Sequence, residues 1–196
     1  MAVVTLNIQG LSVVLKDIKG TAKAIEDKIN LELKAFGNNT VTDAKRLAPF
    51  DEGKLKGSIN YKAESLSVEI TVGADYAAYL EFGTKKFAAK YVATLPNEWQ
   101  VFASQFKGKG GGGTFEEFVM RLTRWVLVKG IGATFNVKTR RQDKVGKQSK
   151  ETTAKADAYA IALYIIRNGI RPHPYFVPAV EKNKLTLVAN LKKLSI

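Results

Sequence analysis

The stretch "RLAPFDEGKLKGSI", residues 46–59, is a joint between two kinds of structure. Upstream of it apolar residues recur every three or four positions, the spacing of one helix face; downstream they alternate, the spacing of a half-buried strand. Pro49 ends the helix, because its ring biases Ala48 away from helical angles and it donates no backbone hydrogen bond. Asp51 and Gly53 make the turn, and Leu55 is the apolar residue that completes the corner.

Working back from the corner, Leu47, Ala44 and Val41 continue a stripe that includes Phe36, Leu33, Ile29, Ile25, Ala22, Ile18, Leu15 and Leu11. Between its two parts lies "GNNT", residues 37–40, whose Gly and Asn favour turns and predict a break or kink, with one long helix as the alternative. Val4, Leu6 and Ile8 alternate before Gly10 and suggest a short strand.

Working forward, residues 58–63 and 66–73 read as a hairpin, with Leu66, Val68, Ile70 and Val72 on the buried face and Ser67, Glu69 and Thr71 on the wet one. "DYAAYLEFGT", residues 75–84, follows as a short helix that Gly83 stops in a left-handed conformation. Glu81, between Leu80 and Phe82, reads as a buried acid with a structural hydrogen-bonding role.

Beyond Thr84 the pattern loses definition. Residues 105–114 are a glycine-rich hinge, and Thr114 with Glu117 forms a capping box for a helix through about Lys129. Its stripe is Phe115, Phe118, Val119, Leu122, Trp125 and Val126. Residues 137–150 form a basic loop or arm. A helix then runs from about Thr153 to Asn168 and ends at Gly169; "RPHPYFVPAV" reads as a strand or loop, and Leu185–Leu194 as a final amphipathic segment. The expected class is α+β: a long N-terminal helix packed on a small antiparallel sheet, a basic and partly helical insertion, and a C-terminal helix. Residues 1–84 and 151–196 form the core domain in this reading, and residues 85–150 the insertion, with its hinge and one helix.

Composition narrows the chemistry. The 196 residues are 45% hydrophobic and 25% charged, as in an ordinary globular chain. The longest apolar run, "AYAIALYII" at 158–166, is too short to span a bilayer and reads as a buried helix. No leading basic segment with a cleavage site is evident, which predicts a protein that stays where it is made. There is no cysteine, which closes off disulfides, thiolate nucleophiles and cysteine-based metal sites. The single histidine, His173, stands between prolines with no partner for a proton relay.

The net charge is +13, and residues 85–150 hold ten Lys and four Arg against three Glu and one Asp, so most of the excess lies there. Within them, Lys138, Arg140, Arg141, Lys144, Lys147 and Lys150 are candidates for contact with an acidic partner or DNA, and three readings stay open: solvated surface, an acidic protein face, or nucleic acid. Gly108, Gly110 and Gly113 satisfy a GxGxxG spacing, but neither a buried strand before them nor an acid about 20 residues after them supports dinucleotide binding. The acid pairs Asp51–Glu52 and Glu116–Glu117 are adjacent residues that point apart. No catalytic residue, metal site or cofactor is expected.

"AKRLAPFDEGKLKGSI", "DYAAYLEFGT" and "RPHPYFVPAV" together resemble three landmarks of the tail-completion, or head-tail joining, family of long-tailed bacteriophages. Ala48, Pro49, Asp51, Gly53, Leu55, Ser58 and Ile59 match the first landmark. Tyr76, Ala77, Glu81, Gly83 and Thr84 match the second. Pro174, Pro178 and Ala179 match the third, with Tyr175 and Phe176 supplying similar bulk. Glu52 and Val177 depart from the usual pattern, as does the long basic segment after Thr84, on which the resemblance is silent.

The resemblance implies a structural virion protein and no catalysis: one subunit of a ring, a hexamer or dodecamer, at the neck. Its implied neighbours are the portal-side connector or adaptor ring and the tail terminator or tail tube protein. The genome would pass through the lumen without specific binding, and no membrane would be involved. The implied location is the virion, after assembly in the host cytoplasm. Candidate subunit-interface residues are Tyr76, Glu81, Phe82, Gly83, Thr84, Pro174, Tyr175 and Phe176. A free nucleic-acid-binding protein and a tail-terminator or minor tail subunit are the alternatives.

Overall fold

The computed structural model describes residues 2–7, 22–49, 53–107, 114–130, 135–136, 141–142 and 147–194. Helix α1 (Ala22–Leu47) is followed by a single turn, α2 (Lys54–Gly57), and then by strands β2 (Ile59–Glu64) and β3 (Ser67–Val72). Strand β1 (Ala2–Asn7) pairs with the other edge of β3, giving an antiparallel sheet of order β1-β3-β2. The α+β class and the long helix on a small antiparallel sheet are as the sequence predicts.

Helix α1 runs unbroken through "GNNT", so the expected kink at 37–40 does not occur. Packing overrides propensity here. Gly37 lies against the ring of Tyr61 on β2, where a Cβ would stand 2.5 Å from the ring's Cδ2, so glycine allows the helix to approach the sheet closely. Thr40 is fully buried under the helix with its hydroxyl unpartnered. The part of the stripe before Ala22 lies outside the described residues.

The expected hairpin forms, with Ile59 opposite Val72 and Glu64 opposite Ser67, so its turn falls at 65–66, one residue later than the expected spans 58–63 and 66–73 imply. Val68, Ile70 and Val72 are buried on the α1 side. Leu66 does not begin the strand as expected: it occupies the two-residue turn at φ 56°, where its N–H donates to Asn30 Oδ1 at 2.7 Å. Ser65 donates to Glu26 at 2.8 Å, so α1 holds the turn from both sides. A left-handed leucine is costly alone; the two bonds to α1 hold it there.

At the corner, Gly53 takes φ 74° and starts α2, and Leu55 drops into the core. "KLKG" is a helical turn rather than part of the strand. Ser58 then ties the corner to the far end of the hairpin: its hydroxyl donates to the Leu55 carbonyl at 2.8 Å and accepts from the N–H of Ala74 at 3.2 Å. Pro49 is half-buried, and Asp51 lies outside the described residues.

The chain continues through α3 (Ala77–Phe82), α4 (Lys85–Val92), α5 (Asn97–Ser104), α6 (Phe115–Lys129), α7 (Lys147–Asn168) and α8 (Phe176–Leu194), with a two-residue ladder, β4 (Phe135–Asn136) and β5 (Arg141–Gln142), between α6 and α7. Three of these expectations need correction. Residues 85–129 contain three helices rather than one, and Trp99 on α5 belongs to the main core, with Phe102 and Phe106 against it. The helix expected from 153 begins at Lys147. "FVPAV" is the first turn of α8, not strand or loop, since a proline there lacks only an N–H that the helix leaves unpaired anyway.

Two cores result. The larger joins α1, the sheet, α3, α5 and α8; the smaller lies between α6 and α7, where Val119 and Val126 pack on Ala154, Ala158 and Ala162. Helix α8 is fastened along α1 by Lys182 and Asn183, which both donate to Asp43, and by Asn190, which donates to Glu32.

Leu55→Ala should lower the unfolding free energy by about 2–5 kcal/mol in denaturant titration, as for other buried leucines. Thr40→Val, which keeps the shape and removes a hydroxyl without a partner, should leave stability unchanged or raise it by roughly 1 kcal/mol. A clear loss would show that the hydroxyl has a partner in solution.

Candidate functional site

Two segments far apart in sequence meet at the end of α3: residues 81–84 and residues 169–177. Helix α3 is amphipathic at short range, burying Ala77, Ala78, Glu81 and Phe82, and this aims Glu81 inward. The side chain is 3% exposed. Its Oε2 accepts from the N–H groups of Tyr175 and Phe176, each at 2.8 Å, and its Oε1 from that of Val177 at 3.1 Å.

Those three donors are the opening of α8. A helix leaves its first N–H groups without intrahelical partners; in α8 the next one in line would come from Pro178, which has none. One carboxylate therefore satisfies the whole first turn, and it sits where the helix dipole favours negative charge. Burial pushes the Glu81 carboxyl above the ordinary glutamate range, and the backbone donors of Phe176, Tyr175 and Val177 pull it back. Tyr91 is pushed up to about 12, first by burial and then by the charge of Glu81. Burial followed by Glu81 raises Tyr175 as well.

Next to this cap the two segments cross backbone to backbone. The Thr84 N–H donates to Ile170 O at 2.9 Å, and the Ile170 N–H returns to Thr84 Oγ1 at 2.7 Å. The His173 N–H donates to Leu80 O at 2.7 Å, and the residue is exposed. Gly83 has φ 73° with ψ −169°, an extended glycine conformation rather than the left-handed helical one expected. A Cβ there would meet Ile170 O at 2.8 Å and Pro172 N at 2.9 Å. Gly169, at φ 90°, abuts the Thr84 carbonyl in the same way. Only glycine fits either side of the crossing.

Aromatic packing closes the site. Phe82, Trp99, Phe102 and Phe176 meet edge to face, with ring centroids 6.0–6.1 Å apart in each contact, and the Trp99 indole N–H donates to Glu181 at 2.6 Å. At the cap, both oxygens of Glu81 are occupied by backbone donors. The arrangement fixes the position of a helix.

Residues 14–83 match the family model described as "Bacteriophage HK97-gp10, putative tail-component". The matched stretch runs from the residues before α1 through the corner, the hairpin and α3, and stops at Gly83, the crossing itself. No curated protein and no solved structure matches the chain. The match covers 70 of the 196 residues and is a likeness to a phage tail component over that stretch.

The residues that carry the resemblance to phage tail components have physical roles in this fold. Gly53, Leu55 and Ser58 fold the corner onto the hairpin, while Glu81, Gly83 and Thr84 clasp the segment that leads into α8. Of the eight residues expected at a subunit interface, Glu81, Phe82, Gly83, Tyr175 and Phe176 are buried within the subunit, where they offer no surface to a neighbour. Tyr76, Thr84 and Pro174 keep some exposure. Sequence reading missed Trp99 and the pairing of Gly83 with Gly169. The two glycines, each ending a predicted helix, were the available signal. Of the six basic-arm candidates, Lys150 is exposed at the start of α7; Lys138, Arg140 and Lys144, and the side chains of Arg141 and Lys147, lie outside what is described.

Glu81→Gln places an amide N–H₂ against backbone N–H donors and should cost about 2–4 kcal/mol of stability, and Glu81→Ala at least as much, by thermal or denaturant unfolding. Gln equal to wild type would mean that the carboxyl does not cap α8.

Proposed function

We propose that this protein is a structural subunit of a tailed phage which assembles as a ring at the neck and joins the head connector to the tail. The observation that carries this reading is the coincidence of the family match with the internal clasp. The matched stretch contains the rigid corner and Glu81, the acid that caps α8, and rigidity of this kind is what a repeating subunit needs: ring closure depends on each copy presenting its two contact surfaces at one fixed angle. Its partners in this reading are other copies of itself, a connector or adaptor ring on the portal side, and a tail terminator or tube protein.

The basic segment 137–150 reaches an acidic face of a neighbouring neck or tail protein. Were every copy in a ring to hold the duplex by several phosphates, the summed contacts would oppose the sliding that genome delivery needs. Among the described residues, no helix is long and apolar enough to cross a membrane.

Deleting residues 137–150 should block head-to-tail joining in an in vitro complementation of heads and tails, while ring formation, seen by negative-stain imaging, persists. If joining survives and salt-sensitive DNA binding in a mobility-shift titration is lost instead, the arm serves nucleic acid and the alternative reading of a basic nucleic-acid-binding protein replaces this one.

A further inference from the structure

The pair α6 and α7 forms a helical hairpin with its own small core, and that core leaves much apolar surface uncovered. Phe115, at the start of α6, packs edge to face on Tyr159 with centroids 5.4 Å apart, while Leu127, near the end of α6, lines the same groove as Glu151 and Thr152 near the start of α7. The two helices are therefore antiparallel. Among the described residues, five are buried between them, three of them alanine. Met120 is 66% exposed, Tyr159 50%, Tyr164 49% and Trp125 36%. A seam of that size does not account for so many large side chains on its outside.

Helix geometry sorts these residues into two faces. At about 100° per residue, Met120 and Leu127 lie roughly 100–120° to one side of the buried Val126, and Trp125 about 100° to the other. On α7, Tyr159 and Ile166 lie roughly 80–100° to one side of the buried Ala158, and Tyr164 about 120° to the other. Because the helices are antiparallel, the first set from each helix shares one face of the hairpin, as the common groove shows, and Trp125 and Tyr164 share the opposite face.

The charges differ between the faces. The groove face carries Glu116, Glu117 and Glu151 with Arg124 and Lys155, an acidic lean in a chain of net charge +13. On the opposite face the exposed charges are Arg121 and Lys129, either side of Trp125 on α6, and Lys150 on α7, where Asp157 on the same side is half-buried. A groove rimmed by glutamates does not suit a phosphate backbone or a strongly acidic protein. It suits a surface that is apolar and basic, and the back of the same hairpin is one.

We infer that the α6–α7 hairpin is a contact between copies of this chain, the groove face of one copy receiving the Trp125/Tyr164 face of the next, head to tail. This rests on the ring reading given above and names the surface that builds it. Two unlike, complementary faces on opposite sides of one element are the requirement for a heterologous contact, which closes into a ring when the rotation between copies allows.

With no native cysteine, single thiols can report the contact. Leu127→Cys and Tyr164→Cys proteins, mixed and mildly oxidised, should form a disulfide-linked dimer; the chain carrying both should give a ladder of covalent multimers on a denaturing gel, and each variant alone should stay uncrosslinked. Arg121→Glu should weaken assembly about tenfold in sedimentation, and adding Glu151→Lys to the same chain should restore part of it, with circular dichroism verifying the fold of each. Dimers formed by Leu127→Cys with itself would mean a symmetric contact and overturn the head-to-tail arrangement. Rings that form without Leu127–Tyr164 crosslinks would remove the hairpin from the contact while leaving the ring reading intact. A chain that stays monomeric at millimolar concentration would end the ring reading, and this inference with it.

Discussion

The tertiary structure depends on one carboxylate meeting one helix start. Glu81 accepts three backbone N–H groups at the beginning of α8, and α8 is the element that closes the core against α1. A helix start buried without partners is among the least tolerable arrangements in a protein interior, so α8 can lie where it does only if an acceptor of the right shape reaches it. The acceptor comes from α3, 94 residues earlier than the first donor. The stretch between the two, with the α6–α7 hairpin in it, is therefore an excursion from a closed point.

That closure explains how the chain carries a long middle region without losing its core. The crossing at Gly83–Thr84 and Gly169–Ile170 pins both ends of the loop backbone to backbone, and the family match ends at the first of these residues. The first part of the loop, α4 and α5, returns to the main core through Trp99 and its bond to Glu181. The second part, α6 and α7, makes its own core from valines and alanines. The chain thus separates a part whose shape is fixed by internal bonds from a part whose exposed faces are available to other molecules.

The helix-to-hairpin order, the alternation of β3 and the capping box at Thr114 were legible before any coordinates, because each follows from interactions within a few residues. The capping box needs only Thr114 and Glu117, which bond each other's backbone N–H. Five of the interface candidates, Glu81, Phe82, Gly83, Tyr175 and Phe176, turn out to be buried within the subunit for a physical reason. Apolar residues flanked by Gly and Pro look the same in sequence whether they face a neighbouring subunit or another segment of their own chain. Likewise "GNNT" carries the local signature of a break, and it stays helical because Tyr61, across the sheet, fills the space that Gly37 leaves.

By itself the sequence determined the helix stripe, the corner at Pro49 and Gly53, the alternation of β3 and the uneven placement of positive charge, all properties of residues near one another along the chain. Only the tertiary structure decided that Glu81 caps α8, that Gly83 and Gly169 cross, and that the α6–α7 hairpin has two unlike faces. Those outcomes depend on which distant groups share a volume from which water is excluded, and inside it a buried N–H or carboxylate must find its partner wherever along the chain that partner lies.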